Sequence, residues 1–227
     1  MSFAHSLHFV FSAGIDFKSL KSNSDEAPYA VGVRYVHLTD KKLEASVFYP
    51  IDKVSGETNS IPWLPQPEVQ FNCFKRNLLA LKVLPYVPDF FARAFTHVKV
   101  PVKLDGEICA RFSDGKEAVR PVIFSHGLGG YKDVYSSIYH SMAANGHLVI
   151  AVNHQDESCF FDTKDKDGKV IKLVVVDHFT EQYRNQQIKQ RSSEVLSVIS
   201  ELRKSDKELK QKLFGVKAAE KARIDIS

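Results

Sequence analysis

Apolar residues along this chain recur with two periods, and the places where the period changes divide it into elements. Residues 31–37 (VGVRYVH) and 43–49 (LEASVFY) are β-branched and aromatic runs separated by LTDKK, which predicts a pair of antiparallel strands. From Ile51 to Pro67 the residues Gly56, Asn59, Pro62, Pro65 and Pro67 predict an extended loop. Residues 71–95 (FNCFKRNLLALKVLPYVPDFFARAF) mix Phe, Leu and Tyr with Lys75, Arg76, Lys82 and Arg93. Pro85 and Pro88 predict that this stretch splits into two short helices. Residues 98–112 predict a hairpin, with VKVPVKL and EICARF about Asp105-Gly106.

The second half begins with an apolar strand at 121–124, followed by a glycine cluster. Val134, Ile138 and Met142 lie at helical spacing within 134–145, and Asn145-Gly146 supplies a stop. HLVIAV, 147–152, is a continuous apolar run of the kind found in strands covered on both faces. Strand, turn, helix and strand over 121–152 make one βαβ unit of a parallel sheet. A hairpin about Asp167-Gly168 follows, and then a long helix from Asp177 to Leu213 with Ile188, Val195, Leu196, Ile199 and Leu202 on its apolar face. ARIDIS predicts one more strand. A parallel-sheet chain that closes as a strand opens is expected to be the front part of a longer protein.

Composition narrows the function classes. The 227 residues are 44% hydrophobic and 26% charged, as in one large domain or part of one. The net charge of +4 is spread, with Lys and Arg alternating with Asp and Glu, and does not indicate a nucleic-acid partner. Cys73, Cys109 and Cys159 are widely spaced, outside any C-x-x-C, and read as buried free thiols. The loop near Thr163 does not satisfy a calcium-binding pattern. The N-terminal MSFAHSLHFVFSAGIDF gives a signal peptide little support, and Ser2 is incompatible with N-myristoylation. The chain reads as cytoplasmic, with a secreted placement left open.

The candidate chemistry lies in PVIFSHGLGGYKDVY, 121–135. A dinucleotide loop needs glycine at position 132, where this chain has Lys132, and the P-loop spacing is also absent. His126-Gly127-Leu128-Gly129-Gly130 fits another use of glycine after a parallel strand, aiming a backbone N–H at a developing oxyanion. The alternative is a tight turn with no catalytic task. No G-x-S-x-G occurs in the 227 residues. Ser125 and His126 are neighbours on a strand and point to opposite faces, so they do not make a nucleophile–base pair. His154 and Asp156 precede any position the usual triad order allows and read as structural loop residues.

PVIFSHGLGGYKDVYSSIYHSMAANGHLVIAVNHQDES closely resembles the platelet-activating factor acetylhydrolases of the plasma and type II group, and so does YRNQQIKQRSSEV. LEASVFYPID and IPWLP resemble them more loosely. The resemblance implies an α/β-hydrolase fold, antiparallel at its first strands and parallel afterwards, over residues 28–227, with 1–27 a poorly ordered extension. It also implies hydrolysis of the short or oxidised sn-2 acyl ester of choline phospholipids by a Ser-Asp-His triad, without calcium or another cofactor. The backbone N–H of Leu128 corresponds to one oxyanion donor. The family's G-H-S-x-G nucleophile motif follows a segment resembling ARIDIS, so the chain is expected to lack the triad and to be inactive alone. Residues 71–95 read either as a pair of helices packed on a core or, since they fall where the family carries interface-facing helices, as an interfacial segment. There Arg76, Lys82 and Arg93 are candidates for lipid phosphates, and Phe90 and Phe91 for the apolar contact with a peripheral membrane. A non-catalytic lipid-binding protein and a different α/β-hydrolase carboxylesterase remain as alternatives.

Overall fold

The computed structural model describes residues 26–54, 59–64, 67–80, 98–175 and 180–226. Strands β1 (Ala30–Leu38) and β2 (Leu43–Ile51) pair antiparallel along their full length, as expected from their β-branched and aromatic runs, and β2 is buried at all but one position. Two short strands, β3 (Ile61–Pro62) and β4 (Lys99–Val100), pair with each other, and helix α1 (Pro67–Ala80) lies between them in the chain. β5 (Lys103–Leu104) then runs parallel to β1. A helical turn α2 (Ala110–Ser113) leads to β6 (Ala118–Ser125), α3 (Ser136–Ala144) and β7 (His147–Val152), the expected βαβ unit, with β6 and β7 in parallel register. β8 (Thr163–Lys164) and β9 (Val170–Ile171) form the small hairpin, and Gly168 takes the left-handed conformation between them. Helices α4 (Glu181–Lys204) and α5 (Lys207–Phe214) precede β10 (Arg223–Ile224), which pairs parallel with β6.

The main sheet has the order β10-β6-β7-β2-β1-β5. Its two faces separate by the two-residue period of the strands. Phe48, Val149 and Ala151 face α1 and α3, packing with Trp63, Phe71, Phe74, Tyr139 and Phe160. Val47, Tyr49, Leu148, Ile150 and Val152 face α4 and α5, packing with Val198, Leu202, Leu209 and Leu213. A six-residue strand buried on both faces therefore sits in the middle of an α/β sandwich, and the C-terminal ends of β6 and β7 open at the same edge.

Five expectations are corrected, the first being the loop predicted from Ile51 to Pro67, which holds the short strand β3 because Ile61 and Pro62 pair with β4. The 98–112 hairpin does not form. Its first arm is divided between β4 and β5, and the backbone of its second arm is taken up by the end of β2: Cys109 N–H donates to the Pro50 carbonyl (3.0 Å) and Ala110 N–H to the Asp52 carboxylate (3.1 Å), which starts a helical turn. The helix expected over 177–213 is two helices. Ser205 is left-handed (φ 45°) and Asp206 caps α5 by accepting from Leu209 N–H at 2.8 Å. The apolar face assigned to it is also displaced, because Ile188 and Leu196 are exposed while Gln187, Glu194, Val198 and Leu202 are buried. α1 begins at Pro67, four residues earlier than the predicted helical stretch, and the break expected at Pro85 and Pro88 lies outside the described residues. All three cysteines are buried and free, as expected.

Candidate active site: the glycine turn and its polar support

β6 ends at Ser125, and the next five residues close a tight turn. Gly130 N–H donates to the Gly127 carbonyl (3.0 Å), and Gly129 takes φ +69°. With Leu128 at the second position and a positive φ at the third, this is a type II turn, which calls for glycine where Gly129 stands. Gly130 is required for a different reason: a Cβ there would lie 2.9 Å from the Gly127 carbonyl oxygen and 2.9 Å from the His126 Cβ. The turn is held from outside by residues 158–160. Gly129 N–H donates to the Ser158 carbonyl (2.9 Å) and Phe160 N–H to the Gly130 carbonyl (2.9 Å). Leu128 lies between these anchors, 47% exposed, and its N–H donates to no group among the described residues. An N–H without an internal acceptor on an immobilised turn is what a preorganised oxyanion donor requires.

Behind the turn is a buried polar cluster contributed by the loop after β7 and by one face of α4. Arg191 forms an ion pair with Asp156 (2.6 Å), donates to the His126 carbonyl (2.7 Å) and also bonds the Ser158 hydroxyl. Gln187 donates to the Asp156 carbonyl at 2.9 Å. Burial alone would raise the Asp156 carboxyl, but hydrogen bonding from Ser158 and the Arg191 guanidinium outweighs it and holds the group below the usual carboxylate range. His126 has its Nδ1 2.8 Å from the Gly127 carbonyl and its Nε2 within 3.3 Å of His154 N–H. Nδ1 is therefore the protonated nitrogen. Burial, partly offset by that bond to Gly127, lowers the His126 pKa to about 4, so the ring is neutral near pH 7.

A second chain of hydrogen bonds starts at the strand end. Ser125 Oγ is 2.7 Å from His154 Nε2, and His154 Nδ1 is 2.7 Å from Glu194 Oε2. The other carboxylate oxygen of Glu194 accepts from Gln190 (3.0 Å) and from Gln155 N–H (3.3 Å). Ser125 is exposed, whereas His154 and Glu194 are fully buried. The expectation that Ser125 and His126 do not pair agrees with this geometry, since the partner of Ser125 is His154, 29 residues along the chain. Sequence spacing gave no access to Glu194, which lies on α4, 40 residues beyond His154.

The proposed lipid contacts fare differently. The Arg76 guanidinium makes a two-pronged ion pair with Asp162, one arm at 3.0 Å, so it fixes α1 to the loop that carries Phe160. Lys82, Phe90, Phe91 and Arg93 lie outside the described residues. Among the described residues no group of three or more His, Cys, Asp or Glu is placed to hold a metal.

A mixed sheet with antiparallel entry strands, a parallel βαβ unit and a glycine turn at the strand ends defines an α/β fold of the hydrolase-like kind. The chain belongs to the platelet-activating factor acetylhydrolase isoform II family, whose model matches residues 15–216. It is 30% identical over 143 residues to a platelet-activating factor acetylhydrolase of Gallus gallus, an alignment covering 62% of this chain and 32% of that protein. It is 29% identical over 136 residues to the protein of the same name from Cavia porcellus, covering 58% and 28% respectively. The matched part thus spans about a third of the length of these relatives.

Proposed function

We propose that this chain forms the front half of a serine esterase that hydrolyses the short sn-2 acyl ester of choline phospholipids. Leu128 supplies one oxyanion donor, and the chain by itself does not turn over substrate. The observation that carries the reading is the Leu128 N–H, left undonated on a turn fixed at Gly129, Gly130 and His126. In that role it meets the negative charge that grows on the carbonyl oxygen when a serine attacks. The second donor of such a site comes from the residue after the nucleophile, and the nucleophile belongs to the G-x-S-x-G elbow that these 227 residues do not contain.

The transcript beyond the codon for Ser227 provides the first check. An open frame carrying G-x-S-x-G within about fifteen residues supports the reading, whereas a stop codon there in abundant transcripts favours a non-catalytic lipid-binding protein. In the protein bearing that elbow, Leu128→Pro is a suitable probe, because proline fits the second position of a type II turn and removes the N–H, while the side chain it replaces is 47% exposed. It is expected to lower kcat on an sn-2 acetyl choline phospholipid by about 10²- to 10³-fold; an unchanged kcat overturns the assignment. Faster hydrolysis of simple aryl acetates than of the phospholipid, at matched concentration, points to a general carboxylesterase instead.

A further inference from the structure

We infer that Ser125, His154 and Glu194 form a nucleophilic relay, distinct from the elbow serine of the proposed reaction, which reacts covalently with acyl esters. The argument is geometric. A nucleophilic serine is identified by a base within hydrogen-bond reach and a third group that orients the base, and both links here are 2.7 Å. The polarity of the chain is defined. Glu194 accepts from Gln155 N–H and from Gln190 and lies 2.7 Å from His154 Nδ1, and an ionised carboxylate has no proton to give. His154 therefore donates through Nδ1, and its Nε2 is left to accept the Ser125 hydroxyl proton. Burial is graded in the same direction, with Glu194 and His154 enclosed and only the serine open to solvent. Ser125 also ends a parallel strand at the sheet edge where ligands bind, and it is followed by exposed Gly127 and Gly129; a Cβ at 129 would meet nothing within 4 Å, and one at 127 only the Tyr135 hydroxyl at 3.8 Å.

The step balances as ordinary acyl transfer. Ser125 Oγ bonds to the ester carbonyl carbon while its proton passes to His154 Nε2, and the resulting imidazolium is stabilised by Glu194. Collapse of the tetrahedral adduct breaks the bond to the leaving alcohol, which takes the proton back from Nε2, and leaves acyl-Ser125. With a fluorophosphonate probe the same attack forms a P–O bond and expels fluoride.

The test uses that probe on the folded 227-residue chain, with near-UV circular dichroism confirming native packing, followed by tandem mass spectrometry. Ser125 is expected to be labelled about 10²- to 10⁴-fold faster than the exposed serines at 141 and 200, the range a positioned general base supplies. Ser125→Ala abolishes that adduct. Glu194→Gln, which retains the side-chain shape, lowers the labelling rate at Ser125 at least about 100-fold by removing the charge that stabilises the imidazolium and replacing one acceptor oxygen with an N–H donor. Labelling of Ser125 no faster than at 141 and 200, or a rate unaffected by Glu194→Gln in a folded chain, overturns the inference. No phospholipid enters this assay. A chain labelled at Ser125 but inert to phospholipid once the elbow is present would refute the proposed function alone, and the converse result would refute only the relay.

Discussion

The two halves of α4 bury different kinds of residue on the same helix. Toward its C-terminus Val198 and Leu202 pack into the core beside Leu148 and Ile150, as an amphipathic helix should. Toward its N-terminus the corresponding stripe is Gln187, Arg191 and Glu194, spaced four and three residues apart, and each reaches the loop after β7. One half is held by apolar area, the other by charge-assisted hydrogen bonds that also hold the glycine turn. A stripe that stays buried while it changes from apolar to polar marks the point where a structural helix starts to serve a site.

The largest effects should come from breaking each half at its centre. Arg191→Ala leaves the Asp156 carboxylate, whose side chain is 0% exposed, without its cation, at an expected cost of about 3–5 kcal/mol. Leu202→Ala should cost about 2–5 kcal/mol through lost burial and the cavity left behind. Chemical denaturation checks both. The comparison becomes sharper with a functional readout in the protein bearing the elbow, under conditions where both variants remain folded. There Arg191→Ala also frees the His126 carbonyl and should lower kcat, while Leu202→Ala leaves kcat unchanged. Equal loss of kcat in both would show that the polar half only stabilises the fold.

Acid should weaken the fold in two steps. His126 and His140 both have pKa values lowered to about 4, mainly by burial. For a histidine with a lowered folded pKa, the unfolded chain binds the proton first. The stability these groups confer is therefore complete above about pH 6.5 and is lost as pH falls toward about 4. Within that window each contributes a slope approaching about 1.4 kcal/mol per pH unit. Asp156, held below the normal carboxylate range, adds its loss only below about pH 4. Denaturation midpoints measured from pH 7 to pH 4 should fall throughout, and His126→Gln should remove about half of the histidine slope. A flat profile to pH 4 would contradict the burial of both rings.

This contrast also explains which parts of the molecule were legible in the sequence. The strands at 30–38, 43–51 and 147–152 follow from two-residue alternation or a continuous apolar run, and the turn at 126–130 from its glycines, because in each case the local pattern and the tertiary environment agree. The 98–112 hairpin failed because β-type residues indicate an extended backbone without naming its partner, and here the partners are β3, β1 and the end of β2. The break at Ser205 was hidden because a single left-handed residue followed by Asp206 as a cap leaves no glycine or proline as a signal. The Ser125–His154–Glu194 chain was missed for a related reason. Hydrophobic periodicity treats a buried glutamate as an exposed one, so the apolar face of α4 was placed through Ile188 and Leu196 when the buried face runs through Gln187 and Glu194.

The smallest expected effect tests that reassignment of the helix face most directly. Ile188 is 51% exposed and Leu196 64% exposed, so neither contributes much apolar burial to either half. Ile188→Ser and Leu196→Ser should each change stability by no more than about 0.5 kcal/mol, the usual range for surface positions outside caps and networks. A face laid through these two residues would instead make each substitution a core truncation with a polar group added, costing several times more. The two outcomes are far enough apart for one urea titration per variant to separate them. A loss above about 1 kcal/mol at Leu196, two residues and about 200° of helix from Val198, would mean that the helix sits rotated toward the sheet. Gln187, Arg191 and Glu194 would then be carried away from the loop they anchor, because a helix cannot turn one half of its face without turning the other.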